Sequence, residues 1–288
     1  MHPVLFSIGS FQIHSYGFML ALSFLFGIWL ARKRARANNL DAEVINDVGF
    51  YLILSAILGA RLYYVILKWD EFKGDLLSTI NPFQQGQLGI GGLVMLGGFI
   101  GAIVAGLIFF RVKKLPFLPY ADALAPSLGF GIFLTRIGCY LNGCCYGAPT
   151  TGACGVVFPA NSPAGHYQLM LSNSAHHGHE HAAEIVKLLP SQLFLSVGGL
   201  IIGVTILLLS RRKWFNGFLF YMTGLLYSIQ RFVGDFFRFY SETERIGPLS
   251  HNQVQCIILF IIFGGLILKS LVLKDEPVKD PAAQSTPS

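Results

Sequence analysis

Residues 13–36 read IHSYGFMLALSFLFGIWLARKRAR: an apolar run over 13–31 that ends against Arg32, Lys33, Arg34 and Arg36. A helix crossing the hydrocarbon core of a bilayer needs about 20 mostly apolar residues. Basic residues collect in the loops on the cytoplasmic side. This one stretch therefore supplies both a span and a direction. No Lys or Arg precedes residue 32, which puts the N-terminus outside. A cleavable signal peptide carries its basic region before the apolar core; here the order is reversed, and the span is expected to stay.

Six further windows have the same character: 48–67, 88–110, 118–138, 193–210, 218–239 and 254–273. The windows 118–138 and 218–239 are the weakest, because they hold charged residues. The predicted fold class is all-α, a polytopic membrane protein with seven transmembrane helices. Twelve basic residues fall in loops on one side: the first cluster, then Arg111, Lys113, Lys114, Arg211, Arg212, Lys213, Lys274 and Lys279. The opposite loops hold Lys68, Lys73, Lys187 and Arg245. The C-terminus is therefore expected in the cytoplasm. Residues 1–273 read as one seven-span membrane domain, 139–192 as an extracytoplasmic segment within it, and 274–288 as a disordered cytoplasmic tail.

Composition agrees. The 288 residues are 53% hydrophobic and 12% charged, against about 25% charged in soluble domains. The net charge of +6 is a topology signal, and nucleic-acid binding is not expected. Gly97, Gly101 and Ala105 recur at helical spacing, a pattern that lets helices pack closely in lipid.

With so few charges, those inside the spans carry information. Ionisable groups there are costly and usually functional. Lys269 lies near an inner helix end and can snorkel. Arg61, Arg136, Arg231 and Arg238 all lie toward the outer ends of their windows. Asp235 is the only acid in that layer, since Asp122 sits near an inner end. Arg231, Asp235 and Arg238 share one helix face at i, i+4 and i+7. One carboxylate cannot neutralise four guanidiniums. The remaining charge calls for an anion at headgroup depth, and a phosphate suits the planar guanidinium fork. The alternative is that these arginines only anchor helices or cap carbonyls, above all Arg61 and Arg238. His14 and Tyr16 open the first span at the same level, where a tyrosine also serves as an interfacial anchor.

Cys139, Cys144, Cys145 and Cys154 lie in or beside the outer segment, and Cys256 lies in the last span. An even number in an oxidising compartment suggests two disulfides, with Cys139 or Cys144 joined to Cys154. The other reading is small buried thiols. His176, His177, His179, Glu180 and His181 cluster in a polar stretch without the ligand spacing of a zinc site. That stretch reads as a solvated loop, and no metal is expected.

Residues 131–147, GIFLTRIGCYLNGCCYG, resemble the signature of the prolipoprotein diacylglyceryl transferase family. That signature is an Arg followed by x-Gly, then Asn-Gly, then a later Gly. Other segments match the family in chain order: His14-Ser-Tyr16-Gly17, Gly59-Ala-Arg61-Leu-x-Tyr64, and the glycine-rich run from Gly91 to Gly98. The order continues with Asp122-x-x-Ala125-Pro126, Pro190-Ser191-Gln192, and Arg231-x3-Asp235-x2-Arg238. The resemblance spans roughly residues 3–272. It implies transfer of diacylglycerol from phosphatidylglycerol to the thiol of the lipobox cysteine of prolipoproteins, with release of glycerol-1-phosphate. It implies no cofactor, a bacterial cytoplasmic (inner) membrane location, and two partners: phosphatidylglycerol and the prolipoprotein signal peptide. A monomer is expected. Carried over residue by residue, it makes Arg136, Arg231, Asp235 and Tyr16 catalytic. Phosphatidylglycerol would be bound by Arg136, Arg231, Arg61, Asn142, Gly143 and Gly147.

The match departs from the family pattern in four places. Leu96 stands where the family often has a histidine proposed as base, and Cys139 where the signature has Asn. Cys144 replaces an acidic residue, and Asp235 a Glu. The phosphate-handling set is thus intact, while the proton-handling set is altered. Asp235, Tyr16 and His14 remain as candidate bases. A non-catalytic lipid- or lipoprotein-binding paralogue on the same fold is the alternative reading.

Overall fold

This protein encloses many small and polar side chains and leaves many large apolar ones open. Ser15, Ser162, Gln168, Ser191, Gln192 and Ser228 are almost fully enclosed, whereas Leu25, Phe99, Ile201 and Ile261 are open. A water-soluble domain does the reverse. In lipid the apolar surface needs no cover, and polar groups must find partners inside. The computed structural model describes residues 2–8, 11–72, 83–84, 87–88, 94–175, 186–212, 214–238 and 245–273.

In chain order the elements are β1 (Val4–Ile8), β2 (Phe11–His14), α1 (Ser15–Ala37), α2 (Glu43–Leu67), α3 (Trp69–Phe72), β3 (Phe83–Gln84), β4 (Gln87–Leu88) and α4 (Met95–Val112). There follow α5 (Phe117–Asn142), β5 (Pro149–Thr150), α6 (Pro163–Ala175), β6 (Lys187–Leu188), α7 (Ser191–Leu209), α8 (Phe218–Asp235), β7 (Arg245–Ile246), β8 (Leu249–Ser250) and α9 (His251–Val272). The strands form four antiparallel pairs, so the chain is mostly helical rather than strictly all-α. Five helices are long and apolar enough to cross a membrane: α1, α2, α5, α7 and α9. The protein is a polytopic helical membrane protein.

Two of the expected windows differ from the helices found. The window 88–110 is met by α4, which begins only at Met95; its apolar part, Leu96–Val112, is short. The window 218–239 is met by α8, which ends at Asp235. That helix is not among the five, because Gln230, Arg231 and Asp235 lower its apolar content. The segment expected as a loop over 139–192 is more ordered than its composition suggested. α5 continues to Asn142, and α6 and the β5–β6 pair lie within the segment. The histidine-rich stretch from His176 to His181 and the tail 274–288 lie outside the described residues.

The chain divides into two compact units, Met1–Arg34 with Ala121–Ser288, and Ala35–Tyr120. In the first unit, hydroxyls tie helices to one another. Ser127 Oγ donates to the Gly27 carbonyl at 2.9 Å, and Ser196 Oγ to the Phe133 carbonyl at 2.9 Å. α5 and α7 approach so closely at Gly129 that an added Cβ would stand 2.6 Å from Gly203 Cα. Asp122 of α5 accepts from the Gly217 N–H at 2.7 Å and the Phe220 N–H at 2.9 Å. It thereby satisfies backbone donors that the first turn of a helix leaves free, and fixes where α8 starts.

In the second unit, α2 and α4 pack through glycines. A Cβ on Gly59 would stand 3.2 Å from Gly101 Cα, and one on Gly101 would stand 2.5 Å from the Ser55 carbonyl oxygen. The small-residue spacing of the sequence is thus used for close backbone contact.

Candidate active site

The signature run ends α5 and turns the chain. Gly143 adopts φ +69°, a conformation glycine reaches without the Cβ penalty. The Cys144 N–H bonds to the Cys139 carbonyl at 3.1 Å, and the Gly143 N–H to the Tyr140 carbonyl at 3.2 Å. This pair of bonds is a Schellman helix end, with Gly143 at the left-handed position. Asn142 is the last helical residue. The Gly143 carbonyl then accepts from the Ala164 N–H at 2.9 Å, which docks the start of α6 on the turn.

The next residues are held from outside. Cys145 also has a positive φ, 60°, unusual for a residue with a side chain. The Cys144 carbonyl accepts from Gln192 Nε2 at 2.8 Å, and the Cys145 carbonyl from Ser191 Oγ at 3.0 Å. Gly147 donates to the Leu189 carbonyl at 2.8 Å and forms a bridge with Arg238. Ala148 donates to the Phe237 carbonyl at 3.1 Å. A Cβ on Gly147 would stand 2.8 Å from the Leu189 oxygen. Gly147 is therefore required by backbone closeness, and it joins the signature turn to the end of α8.

Arg231 and Asp235 form an ion pair at 2.7 Å one turn apart on α8, with the carboxylate side chain 1% exposed. The second carboxylate oxygen accepts a short hydrogen bond from Ser250 Oγ. Ser250 also caps α9: its oxygen accepts from the Gln253 N–H at 3.1 Å, and Gln253 returns a bond to the Ser250 N–H at 2.9 Å. One buried carboxylate thus orients Arg231 while being oriented by the start of α9.

Tyr16 stands at the head of α1, beside the signature helix. A Cβ on Gly138 would lie 3.4 Å from Tyr16 Cα. The phenol is within electrostatic reach of Arg136, Cys139, Cys144 and Cys145. His14 is exposed at the end of β2. Arg61 belongs to the second unit, where its guanidinium sits 5.5 Å from the ring centres of Tyr64 and Phe72. Leu96, at the start of α4, is 52% exposed. The structure thus gathers Tyr16, Arg136, Asn142, Gly143 and Gly147 around the signature turn. Through the Gly147–Arg238 bridge it ties the helix of Arg231 and Asp235 to that turn.

The cysteines depart from the disulfide expectation. All five are free thiols, and Cys154 is exposed. The sulfurs of Cys139, Cys144 and Cys145 instead lie within 4.8 Å of one another. The Schellman turn folds positions 144 and 145 back onto 139, which excludes Cys154. Hydrogen bonds from the Cys139 and Cys144 thiols, and then the charges of Arg136 and Arg238, hold the Cys145 thiol well below the usual range. Burial, with Tyr167 as a second cause, pushes the Tyr146 phenol up.

Three supporting residues escaped the sequence reading of the site. Ser250 was signalled by the Ser-x-x-Gln spacing of a capping box. Ser191 and Gln192 were signalled by the family-like Pro190-Ser191-Gln192 segment, but without a site role.

The model of the prolipoprotein diacylglyceryl transferase family matches residues 3–269. A phosphatidylglycerol–prolipoprotein diacylglyceryl transferase 2 of Clostridium perfringens is 30% identical over 273 residues, 94% of this chain and 95% of the relative. The transferase of Listeria innocua is 28% identical, covering 96% and 92%. That of Clostridium novyi is 28% identical, covering 97% and 100%. With the signature turn, the arginines beside it and a match along nearly the whole length, the chain belongs to the prolipoprotein diacylglyceryl transferase family.

Proposed function

We propose that this protein transfers the diacylglyceryl group of phosphatidylglycerol to the thiol of the lipobox cysteine of prolipoproteins, the first step of bacterial lipoprotein maturation. The observation that carries this is the Arg231–Asp235–Ser250 chain, on a helix joined by backbone bonds to the signature turn. It holds a guanidinium in place before any ligand arrives, which is how preorganised charge lowers a barrier.

In this reading Arg136 and Arg231 hold the donor phosphate. The substrate thiol gives its proton to water, and its sulfur attacks the glyceryl carbon that bears the phosphate ester. That carbon–oxygen bond breaks, a thioether forms, and the electron pair leaves on glycerol-1-phosphate, where the arginines meet the developing charge. Asp235 acts as a positioning residue, since both its oxygens are engaged. Tyr16 meets the headgroup or the incoming thiol, and Asn142, Gly143 and Gly147 shape the turn against the headgroup. Arg61 meets anionic headgroups from α2. A groove of about 240 Å³ between α8 and α9, lined by Ser228, Ile229, Phe232, Cys256, Ile257 and Phe260, suits an acyl chain. The chain forms a single membrane domain in the bacterial cytoplasmic membrane. α4 and α8 complete seven spans, with the N-terminus outside and the C-terminus cytoplasmic, and the protein works as a monomer without a cofactor.

The test supplies the purified protein with phosphatidylglycerol and a lipobox peptide and measures released glycerol phosphate. Release is expected, and Arg136→Ala should lower it by about 10²-fold or more, the usual cost of one charge-stabilising donor. No release beside an active relative ends the transferase reading. Near-normal turnover by Arg136→Ala removes that residue from the site. Leu96, in the place of the family's proposed base, favours the second reading, a lipid- or lipoprotein-binding paralogue. Binding of both substrates without release would establish it.

A further inference from the structure

The cysteine cluster has no place in the transfer reaction, whose thiol belongs to the substrate. Cys139, on the last turns of α5, and Cys144 and Cys145, just beyond the turn, converge on one point with all sulfurs within 4.8 Å of each other. The convergence is built rather than incidental. The Schellman bonds fold the chain back, Cys145 holds a positive φ, and the carbonyls of Cys144 and Cys145 are pinned by Gln192 and Ser191. Cys139 is buried, and the other two are partly open. A ligand turn fixed by outside bonds loses little freedom when an ion arrives.

We propose that Cys139, Cys144 and Cys145 form a three-thiolate site for a soft monovalent cation of the Cu(I) class. Thiolates select soft ions, Cu(I) and Zn(II) foremost. Two features favour the monovalent ion. Among the described residues the group offers three sulfurs and no fourth His, Cys, Asp or Glu, whereas structural zinc sites take four protein ligands. Arg136 stands one turn before Cys139 on α5, and Arg238 is bridged to Gly147, two residues past Cys145. Three thiolates with one monovalent ion leave a double negative charge, which these two guanidiniums match. A divalent ion would leave a net positive charge in the same place. Binding is a ligand exchange without oxidation: each thiol that still carries a proton releases it to solvent as its sulfur bonds the ion. Occupancy would engage two arginines of the signature region, so the site is placed to tune that region's anion affinity.

The experiment uses the full-length protein in detergent, reduced and anaerobic, with Cu(I) supplied as its bathocuproine disulfonate complex. Uptake of a single equivalent is expected. It should shield Cys139, Cys144 and Cys145 from maleimide, while exposed Cys154 stays reactive. Cys144→Ser should lose both uptake and shielding, and Cys154→Ser should keep both. Shielding in the unaltered protein needs no variant, so a folding defect in Cys144→Ser does not weaken the test. Equal labelling with and without copper overturns the site. So does uptake that persists in Cys144→Ser, as binding by the histidine-rich stretch would give. Displacement of the copper by equimolar Zn(II) overturns the monovalent assignment.

Discussion

The α2–α4 pair and the α8–α9 pair solve the same problem in opposite ways. Both hold helices together where lipid offers no hydrophobic drive between them. The α2–α4 contact rests on close backbones: Gly59, Gly97 and Gly101 bring the helices together, and the Val94 N–H bonds to the Ala60 carbonyl at 3.2 Å. The α8–α9 contact adds charge to apolar packing: Phe220 and Tyr221 meet Phe263, while at the head Arg231, Asp235, Ser250 and Gln253 form one connected chain from a salt bridge to a helix cap. The first arrangement relies on small residues. The second spends polar groups in a costly place and leaves an oriented guanidinium beside the family signature. Under the proposed function the transfer chemistry falls on the polar contact.

The largest effect that sharpens this contrast is expected from Asp235→Ala. It leaves Arg231 buried without its carboxylate, a loss of about 3–5 kcal/mol when one partner of a buried pair is removed. Thermal unfolding in detergent and glycerol-phosphate release should both fall. A Tm equal to that of the unaltered protein would break the comparison. Next is Gly59→Ala, whose methyl would stand 2.5 Å from the Gly97 carbonyl oxygen. The helices must part, at about 1–3 kcal/mol for such overpacking, and Tm should fall while the substrate affinity of the surviving folded protein holds. The smallest effect, of opposite sign, is expected from Gly106→Ala. Its nearest neighbour would be Leu52 Cδ2 at 3.4 Å, an ordinary contact. Replacing a helical glycine there should raise stability by about 0.4–1 kcal/mol. If Gly106→Ala and Gly59→Ala lower Tm equally, close packing at Gly59 is not what holds α2 to α4.

Much of this was legible in sequence, for identifiable reasons. The apolar windows led to five long apolar helices, and the basic cluster after residue 31 forms the last turns of the first of them. α8 was the weak case in sequence and stays so in structure, for the same reason: Gln230, Arg231 and Asp235 lower its apolar content. The Asn142-Gly143 pair announced a turn, and Gly143 supplies its left-handed residue. The pairing of charges along α8 was readable, because i and i+4 are neighbours on any helix. The partners of those charges were not. Ser250 lies 15 residues from Asp235, and Asp122 meets the start of α8 across 95 residues. The cysteines show the limit most clearly. Counting allowed Cys154 as a partner, whereas the turn geometry brings Cys144 and Cys145 to Cys139 and leaves Cys154 outside.

The sequence alone determined that this chain lives in a membrane, where its apolar helices lie, and which few charges stand among them. Those are local properties: about 20 consecutive residues meet lipid with the same energy whatever the rest of the chain does. Tertiary structure alone decided what each buried polar group touches, that Asp235 is clamped from both sides, and that three thiols share one point. A buried charge must be satisfied by whatever folding brings near it, and that neighbour is set by helix packing across the whole chain rather than by spacing along it.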